Sequence, residues 1–183
     1  NITSKKFIYP RKYKKLLLTV GGFDENNIIE IFLKIILKYI ESFHVTVILG
    51  PATKFNTTLE KFQLNYSNNF KIISSTNNMK KEILNCDFGI CSGGLTSYEF
   101  ATLGKPFAII CQSPHQILTA RQWEHLGIAY NLGNPNMRIN SKIKTLMENL
   151  VSNNINLRIK SSKYLDGKGS LRVAKEISLL LKN

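Results

Sequence analysis

The residues best equipped for chemistry fall in one run, Ser92-Gly93-Gly94-Leu95-Thr96-Ser97-Tyr98-Glu99, directly after the apolar Phe88-Gly89-Ile90-Cys91. Paired glycines carry no Cβ and can reach φ > 0, so another group can approach their backbone closely. A helix opening just after them would present unpaired N–H groups and the positive end of its dipole. Turn and helix start together suit a phosphate. Glu99 would sit one turn into that helix, where a carboxylate can accept hydrogen bonds from sugar hydroxyls. The same residues have a plainer meaning, since Thr96-x-x-Glu99 is also a capping box in which Glu99 closes the helix start. On this stretch alone both readings stand.

The elements that must position this run can be read along the chain. Apolar, β-branched segments at 16–20, 45–49, 70–73, 87–91, 107–111 and 129–132 predict six strands. Segments with helical spacing separate them: Ile28 to Ile40, a polar stretch over 53–65, 77–85, a short helix ending near Leu103, and Ile117 to Leu126. Asp24 or Asn26 is placed to cap the first helix. In the third, Met79, Ile83 and Leu84 are expected to turn inward. After the sixth strand the chain reads as helical, with faces at Ile139, Ile143, Leu146, Met147 and Leu150, a helix around 154–163, and a last helix burying Leu171, Ala174, Ile177 and Leu181. Strands alternating with helices imply a parallel sheet covered on both faces. The predicted fold class is α/β, a Rossmann-like doubly wound sheet of about six strands. Ligands of such folds bind beyond the carboxyl ends of the strands, at the switch point. The loops expected there are Gly21-Gly22, Gly50-Pro51, the stretch after Ile73, Gly93-Gly94 and His115-Gln116, where glycine and polar residues concentrate. Neither glycine pair forms a GxGxxG and there is no Walker A lysine, so dinucleotide and ATP binding by those routes have no support.

Composition narrows the remaining classes. The 183 residues fit one domain, or at most two small ones, and 43% hydrophobic with 20% charged residues is ordinary for a globular protein. Net charge is +13, but six of the 25 basic residues lie within the first fifteen positions, where there is no acid. Residues 1–15 therefore read as a basic arm or linker, and 16–183 as the folded domain. The remaining charge is spread along the chain and favours anionic ligands only loosely. No RNA-binding motif or basic–aromatic stripe is visible, so nucleic acid is not the expected partner. Cys86, Cys91 and Cys111 form no Cys-x-x-Cys and no ligand-like spacing, so neither metal nor cofactor is expected and the thiols read as reduced core residues of a cytoplasmic protein. No signal peptide and no run of membrane-spanning length appears.

In series, these loops resemble the C-terminal, nucleotide-binding half of GT-B-type proteins. The chain is most similar to the UDP-sugar hydrolases of the pseudaminic acid pathway and the related spore-coat polysaccharide proteins, and more distantly to the peptidoglycan N-acetylglucosaminyl transferase. The resemblance is carried by Thr19-Val20-Gly21-Gly22-Phe23-Asp24 with Asn27, by Ile48-Leu49-Gly50-Pro51, and by Met79 with Cys86-Asp87-Phe88-Gly89-Ile90. It continues through the run from Ser92 to Glu99, Leu103-Gly104-Lys105-Pro106, His115-Gln116, and Asp166-Gly167-Lys168-Gly169 with Arg172. It implies that Gly93, Gly94, Leu95 and Thr96 hold a diphosphate and that Glu99 binds the ribose. It places uracil against Ile73 and Ser74, and the sugar against His115 and Gln116. Gly21 and Gly22 join the nucleotide set or serve only as a tight strand-to-helix turn. Relatives usually carry Asn where His115 stands and often Ser or Thr where Leu95 stands, departures that bear on sugar choice and on one phosphate hydroxyl. Asp166-Gly167-Lys168-Gly169 reads first as an entry turn for the last helix, and Tyr98 and Trp123 as packing residues.

The activity so implied is hydrolysis of a UDP-sugar in surface-polysaccharide or nonulosonic acid biosynthesis, with the catalytic base in an N-terminal domain or partner subunit beyond this chain. The fragment is then expected to bind nucleotide without turning it over. Two alternatives stay open: a glycosyltransferase using a UDP-sugar donor, and a non-catalytic binding module.

Overall fold

The computed structural model describes residues 14–53, 55–136, 138–155, 157 and 165–181. The basic arm expected over 1–15 lies outside them except for Lys14 and Lys15, which already belong to the first strand. Six strands form one sheet: β1 (Lys14–Thr19), β2 (Phe43–Ile48), β3 (Phe70–Ile73), β4 (Phe88–Ser92), β5 (Phe107–Ile110) and β6 (Ala129–Gly133). Their order is β3-β2-β1-β4-β5-β6 and every pairing is parallel. The chain builds outward from β1 to β3, then crosses back to place β4 on the other side of β1. Leu18 thus lies opposite Val47 on one side and Ile90 on the other. The switch point falls between β1 and β4, the two strands that end in glycine pairs.

Helices α1 (Ile28–Ile36), α2 (Thr57–Asn65), α3 (Met79–Asn85), α4 (Leu95–Thr102), α5 (His115–His125) and α6 (Ile139–Val151) cover the two faces, and α7 (Gly169–Leu180) follows them. One core layer packs Phe32, Leu33 and Ile36 of α1 with Ile143, Met147 and Leu150 of α6 against Leu16, Leu18, Val45 and Val47. The opposite layer sets Ile83, Phe100, Ala120 and Trp123 against Leu17, Ile48, Cys91, Phe107 and Ile109. Strands β4 and β5 are buried along their whole length, which is why they read as unbroken apolar runs. The three cysteines are unpaired and buried, and burial pushes the Cys86 thiol up to about 12.

Several boundaries and faces differ from the sequence reading. The first helix does not run unbroken to Ile40. It ends at Ile36 and tightens into a 3₁₀ turn, Leu37–Ser42, which still brings Ile40 into the core. In α3, Ile83 turns inward but Leu84 is 47% exposed, because so short a helix has room for one inward row. Of the helix expected over 154–163, Asn154, Ile155 and Leu157 are described and are not helical, while the rest lies outside the described residues. The last helix forms but buries nothing: Leu171 is 67% and Leu181 82% exposed, and Ala174 and Ile177 are also open. Periodicity gave that helix an apolar stripe, but the helices on both faces of the sheet leave it no partner among the described residues.

Candidate functional site

The candidate site forms at the carboxyl ends of β1, β4 and β5. After β4 the chain turns through Gly93 and Gly94 and enters α4 at Leu95, with Gly94 as the N-cap and no side chain capping it. In the first helical turn the Ser97 amide turns back onto the Gly94 carbonyl at 3.1 Å, while those of Leu95 and Thr96 have no intrahelical acceptor by geometry. Leu95 itself is 84% exposed. The capping box is not built. Thr96 is the second residue of the helix rather than its cap, so Glu99 lies in the second turn, too far along to close the start. The position three residues after the cap belongs instead to Ser97, a fully buried residue whose Oγ donates to the Gly94 carbonyl at 2.7 Å. That hydroxyl in turn accepts from Trp123 Nε1 at 3.3 Å, and Tyr98 meets the Trp123 ring edge-on at 5.2 Å. The glycine turn is thereby anchored to α5. Relieved of capping, Glu99 stands at the solvent side of α4. Burial pushes its carboxyl above the usual range, and a hydrogen bond from Thr96 acts in the opposite sense.

The two glycine pairs differ in what they need. Gly21 takes a left-handed backbone, φ 89°, which favours glycine. Gly93 and Gly94 do not use the positive φ that the sequence suggested. Gly93 is required by proximity, because a Cβ there would lie 2.8 Å from the Cβ of Gln116. Gln116 serves the turn directly. Its Oε1 accepts from the Gly93 amide at 3.1 Å and from the Gln112 amide at 2.9 Å. It is thus the side-chain oxygen, and not the amide nitrogen, that engages the turn. His115 opens α5, is exposed, and approaches the Ser113 hydroxyl through Nδ1 at 3.2 Å.

On the β1 side, Asp24 caps α1 with both carboxylate oxygens, accepting from the amides of Ile28 at 2.8 Å and Ile29 at 3.0 Å. Burial raises its pKa more than those two amide bonds lower it. A cleft of about 310 Å³ beside this loop is lined by Phe23, Asp24, Asn27, Thr53 and Leu59 among others. A larger cleft of about 560 Å³ lies around the amino ends of β1, β2 and β3, against Lys15, His44, Lys71 and Glu82. None of the candidate residues lines it.

The fold therefore gathers Gly21, Gly22, Gly93, Gly94, Leu95, Thr96, Glu99, His115 and Gln116 around the switch point. Ile73 ends the edge strand β3 and Ser74 follows it, three strand spacings from β4, or about 14 Å. The Ile73 carbonyl already accepts from the Leu49 amide at 2.9 Å, while Ser74 is exposed. Asp166-Gly167-Lys168-Gly169 is a turn closed on itself: the Lys168 amide donates to Asp166, and Arg172 grips the same carboxylate through both terminal nitrogens at 2.7 and 3.1 Å. That grip holds the Asp166 carboxyl well below the ordinary carboxylate range. Two residues take part that the sequence reading gave no role of their own. Ser92, 4% exposed, places its hydroxyl between the glycine pairs, 3.3 Å from where a Gly21 Cβ would be and 3.8 Å from that of Gly94. A serine closing an otherwise apolar strand was the available signal. Gln112 is the other, and only its place just beyond β5 marked it.

Comparison with known proteins agrees with this architecture. Residues 15–176 match the model of the glycosyltransferase family 28 C-terminal domain. The spore coat polysaccharide biosynthesis protein SpsG of Bacillus subtilis is 24% identical over 165 residues, covering 87% of this chain and 48% of that protein. The chain thus spans about half the length of that curated relative. The solved structure of MurG from Acinetobacter baumannii superposes with a TM-score of 0.69 at 19% identity, over 90% of this chain and 49% of that one. MnaA of S. aureus, solved with UDP, gives 0.68 at 14% identity over 93% and 46%. Among the described residues no helix is long and apolar enough to cross a membrane. With a six-stranded parallel sheet, a glycine turn at its switch point and a family match along nearly its whole length, this chain belongs to the glycosyltransferase family 28 C-terminal domains.

Proposed function

We propose that this domain binds the nucleotide diphosphate of a UDP-sugar donor for a glycosyltransferase, the acceptor and any general base being held outside this chain. The observation that carries the reading is the start of α4. Its Leu95 and Thr96 amides meet no side-chain cap, the Ser92 hydroxyl lies between the two glycine turns, and Glu99 stands one turn further on without a capping duty. The amides would take the diphosphate, which gains charge as the sugar leaves, so donors fixed there stabilise departure more than binding. Thr96 would add a hydroxyl, and Glu99 would accept from the ribose. Ile73 and Ser74 are proposed for the base, and His115 with the Gln116 amide nitrogen for the sugar. Gly21 and Gly22 would bound the phosphate side.

Transfer to an acceptor is preferred to the hydrolysis that the sequence resemblance put first. The family model covering the chain is a glycosyltransferase one, and neither it nor the relatives named above speaks for water as acceptor or for pseudaminic acid. Uracil is preferred as the base because one superposing structure holds UDP, although another, a spinosyn rhamnosyltransferase at 15% identity, was solved with thymidine diphosphate. Calorimetric titration of UDP, thymidine diphosphate and ADP into wild type and Glu99→Gln tests the reading. UDP should bind tightest, and Glu99→Gln should lose about 1.5–3 kcal/mol, the worth of a hydrogen bond to a charged acceptor. Equal affinity for all three nucleotides, or an indifferent Glu99→Gln, would refute it.

A further inference from the structure

We infer that Gln112 is a positioning residue, a brace that sets the gap between the β1–α1 and β5–α5 loops on either side of the glycine turn; the inference rests on the nucleotide reading for its functional consequence. Strand β4 lies between β1 and β5, so the turn at Gly93-Gly94 is flanked by those two loops. Gln112 spans them. Its Nε2 donates to the carbonyls of Val20 and Phe23, and its own carbonyl accepts from Asn26 Nδ2 at 3.2 Å. Its amide donates to Gln116 Oε1, the same atom that receives the Gly93 amide. One residue thus links the β1–α1 loop, its own loop and, through Gln116, the glycine turn.

The orientation of the side-chain amide is forced. Reversed, its oxygen would face the two carbonyls that Nε2 now serves, and no donor would meet them. The remaining oxygen, Gln112 Oε1, is buried without a partner, a cost proteins seldom accept. Gln112 therefore contributes through its two donors and not through its acceptor. Those donors hold Val20 to Phe23, the segment containing Gly21, whose Cβ position looks onto the Ser92 hydroxyl at 3.3 Å. Without them, among the described residues, the bond from Asn26 to the Gln112 carbonyl is what remains between the β1 and β5 sides of the diphosphate site.

The test compares UDP with uridine, which carries no phosphate, in wild type, Gln112→Met and Gln112→Glu. Methionine keeps the length and removes the donors. Glutamate keeps the shape, has no donor when ionised, and regains one when protonated. UDP affinity should fall roughly tenfold in Gln112→Met, as expected for two lost hydrogen bonds, while uridine affinity, followed by NMR titration, stays within about twofold. In Gln112→Glu the deficit relative to wild type should shrink as pH falls through the carboxyl range. A filler of space would show neither the UDP-against-uridine split nor that pH dependence. Equal losses for both ligands, or no loss for either, would overturn the inference. If wild type binds neither ligand the nucleotide reading fails, and hydrogen exchange in the unliganded protein still decides on the brace. Faster exchange in Gln112→Met at Gly21 to Phe23 and at Gly93 to Leu95, with β4 and β5 unchanged, supports it; unchanged exchange at those loops refutes it.

Discussion

Replacing Gly93 with alanine tests the contact on which the glycine turn depends. The backbone there does not require glycine, since its φ is not in the left-handed region. The space does. The new methyl would sit 2.8 Å from Gln116 Cβ and 3.1 Å from the Gln116 carbonyl oxygen, both on or next to the backbone of α5 and neither the end of a flexible chain. Either α5 or the turn must move. Forcing an extra methyl into packed surroundings costs about 1–3 kcal/mol. The movement also stretches the 3.1 Å bond from the Gly93 amide to Gln116, adding about 0.5–1.5 kcal/mol. Alanine restricts the unfolded chain and returns about 0.4–1 kcal/mol. The expected net loss is roughly 0.5–4 kcal/mol, or a fall in Tm of about 1–16 °C for a domain of this size. Gly22→Ala is the control, because nothing lies within 4 Å of its added Cβ and its φ is not positive. It should be as stable as wild type or more so, by up to about 1 kcal/mol. Urea and thermal denaturation of the three proteins provide the comparison. If Gly93→Ala unfolds together with wild type and Gly22→Ala, the close approach of α5 to the turn is wrong, and with it the account of why this loop is glycine.

Ser97→Ala removes a buried hydroxyl that serves both the Gly94 carbonyl and Trp123 Nε1, so stability should drop about 1–3 kcal/mol and Trp123 fluorescence should shift; an unperturbed emission spectrum would contradict the network. Asp24 has a folded-state pKa raised by burial, so its contribution to stability is greatest below the unfolded carboxylate pKa and is lost as pH rises through the folded value. Against Asp24→Asn, which does not titrate, the advantage of wild type in urea midpoint should therefore decline from about pH 3 to pH 7; an advantage that grows over that interval would reverse the sign. On α7, Ile177→Ser should change the stability of the isolated chain by less than about 0.5 kcal/mol, because the side chain is 52% exposed. A loss of several kcal/mol in the same denaturation assay would show that the helix is packed after all.

What could be read in the sequence and what could not divide along a physical line. Strands β4 and β5 were legible because a parallel strand covered on both faces must be apolar throughout, and Phe107 to Ile110 admits no other arrangement. The location of the site was legible for a related reason. A chain that builds outward from β1 and then returns leaves one crevice, and the polar and glycine residues closing β1, β4 and β5 are those that face it. The reasons for individual residues were less accessible. Gly93 looked like a conformational glycine and is a steric one, since the atom that excludes a side chain belongs to Gln116, 23 residues away. Thr96-x-x-Glu99 looked like a capping box because the pattern fixes spacing but not the residue at which the helix begins. A start two residues earlier assigns the third position to Ser97 and leaves Glu99 for other work. Leu171 and Ile177 show the same limit from the packing side. Periodicity states which residues of a helix share a face, whereas burial depends on whether another surface arrives to meet it. Gln112 is the extreme case, a polar loop residue with no local pattern, whose importance comes entirely from carbonyls 92 and 89 positions earlier in the chain. Long-range hydrogen bonds leave no local trace in a sequence, so the residues that hold the loops of a site at their working distance are the ones a motif search passes over.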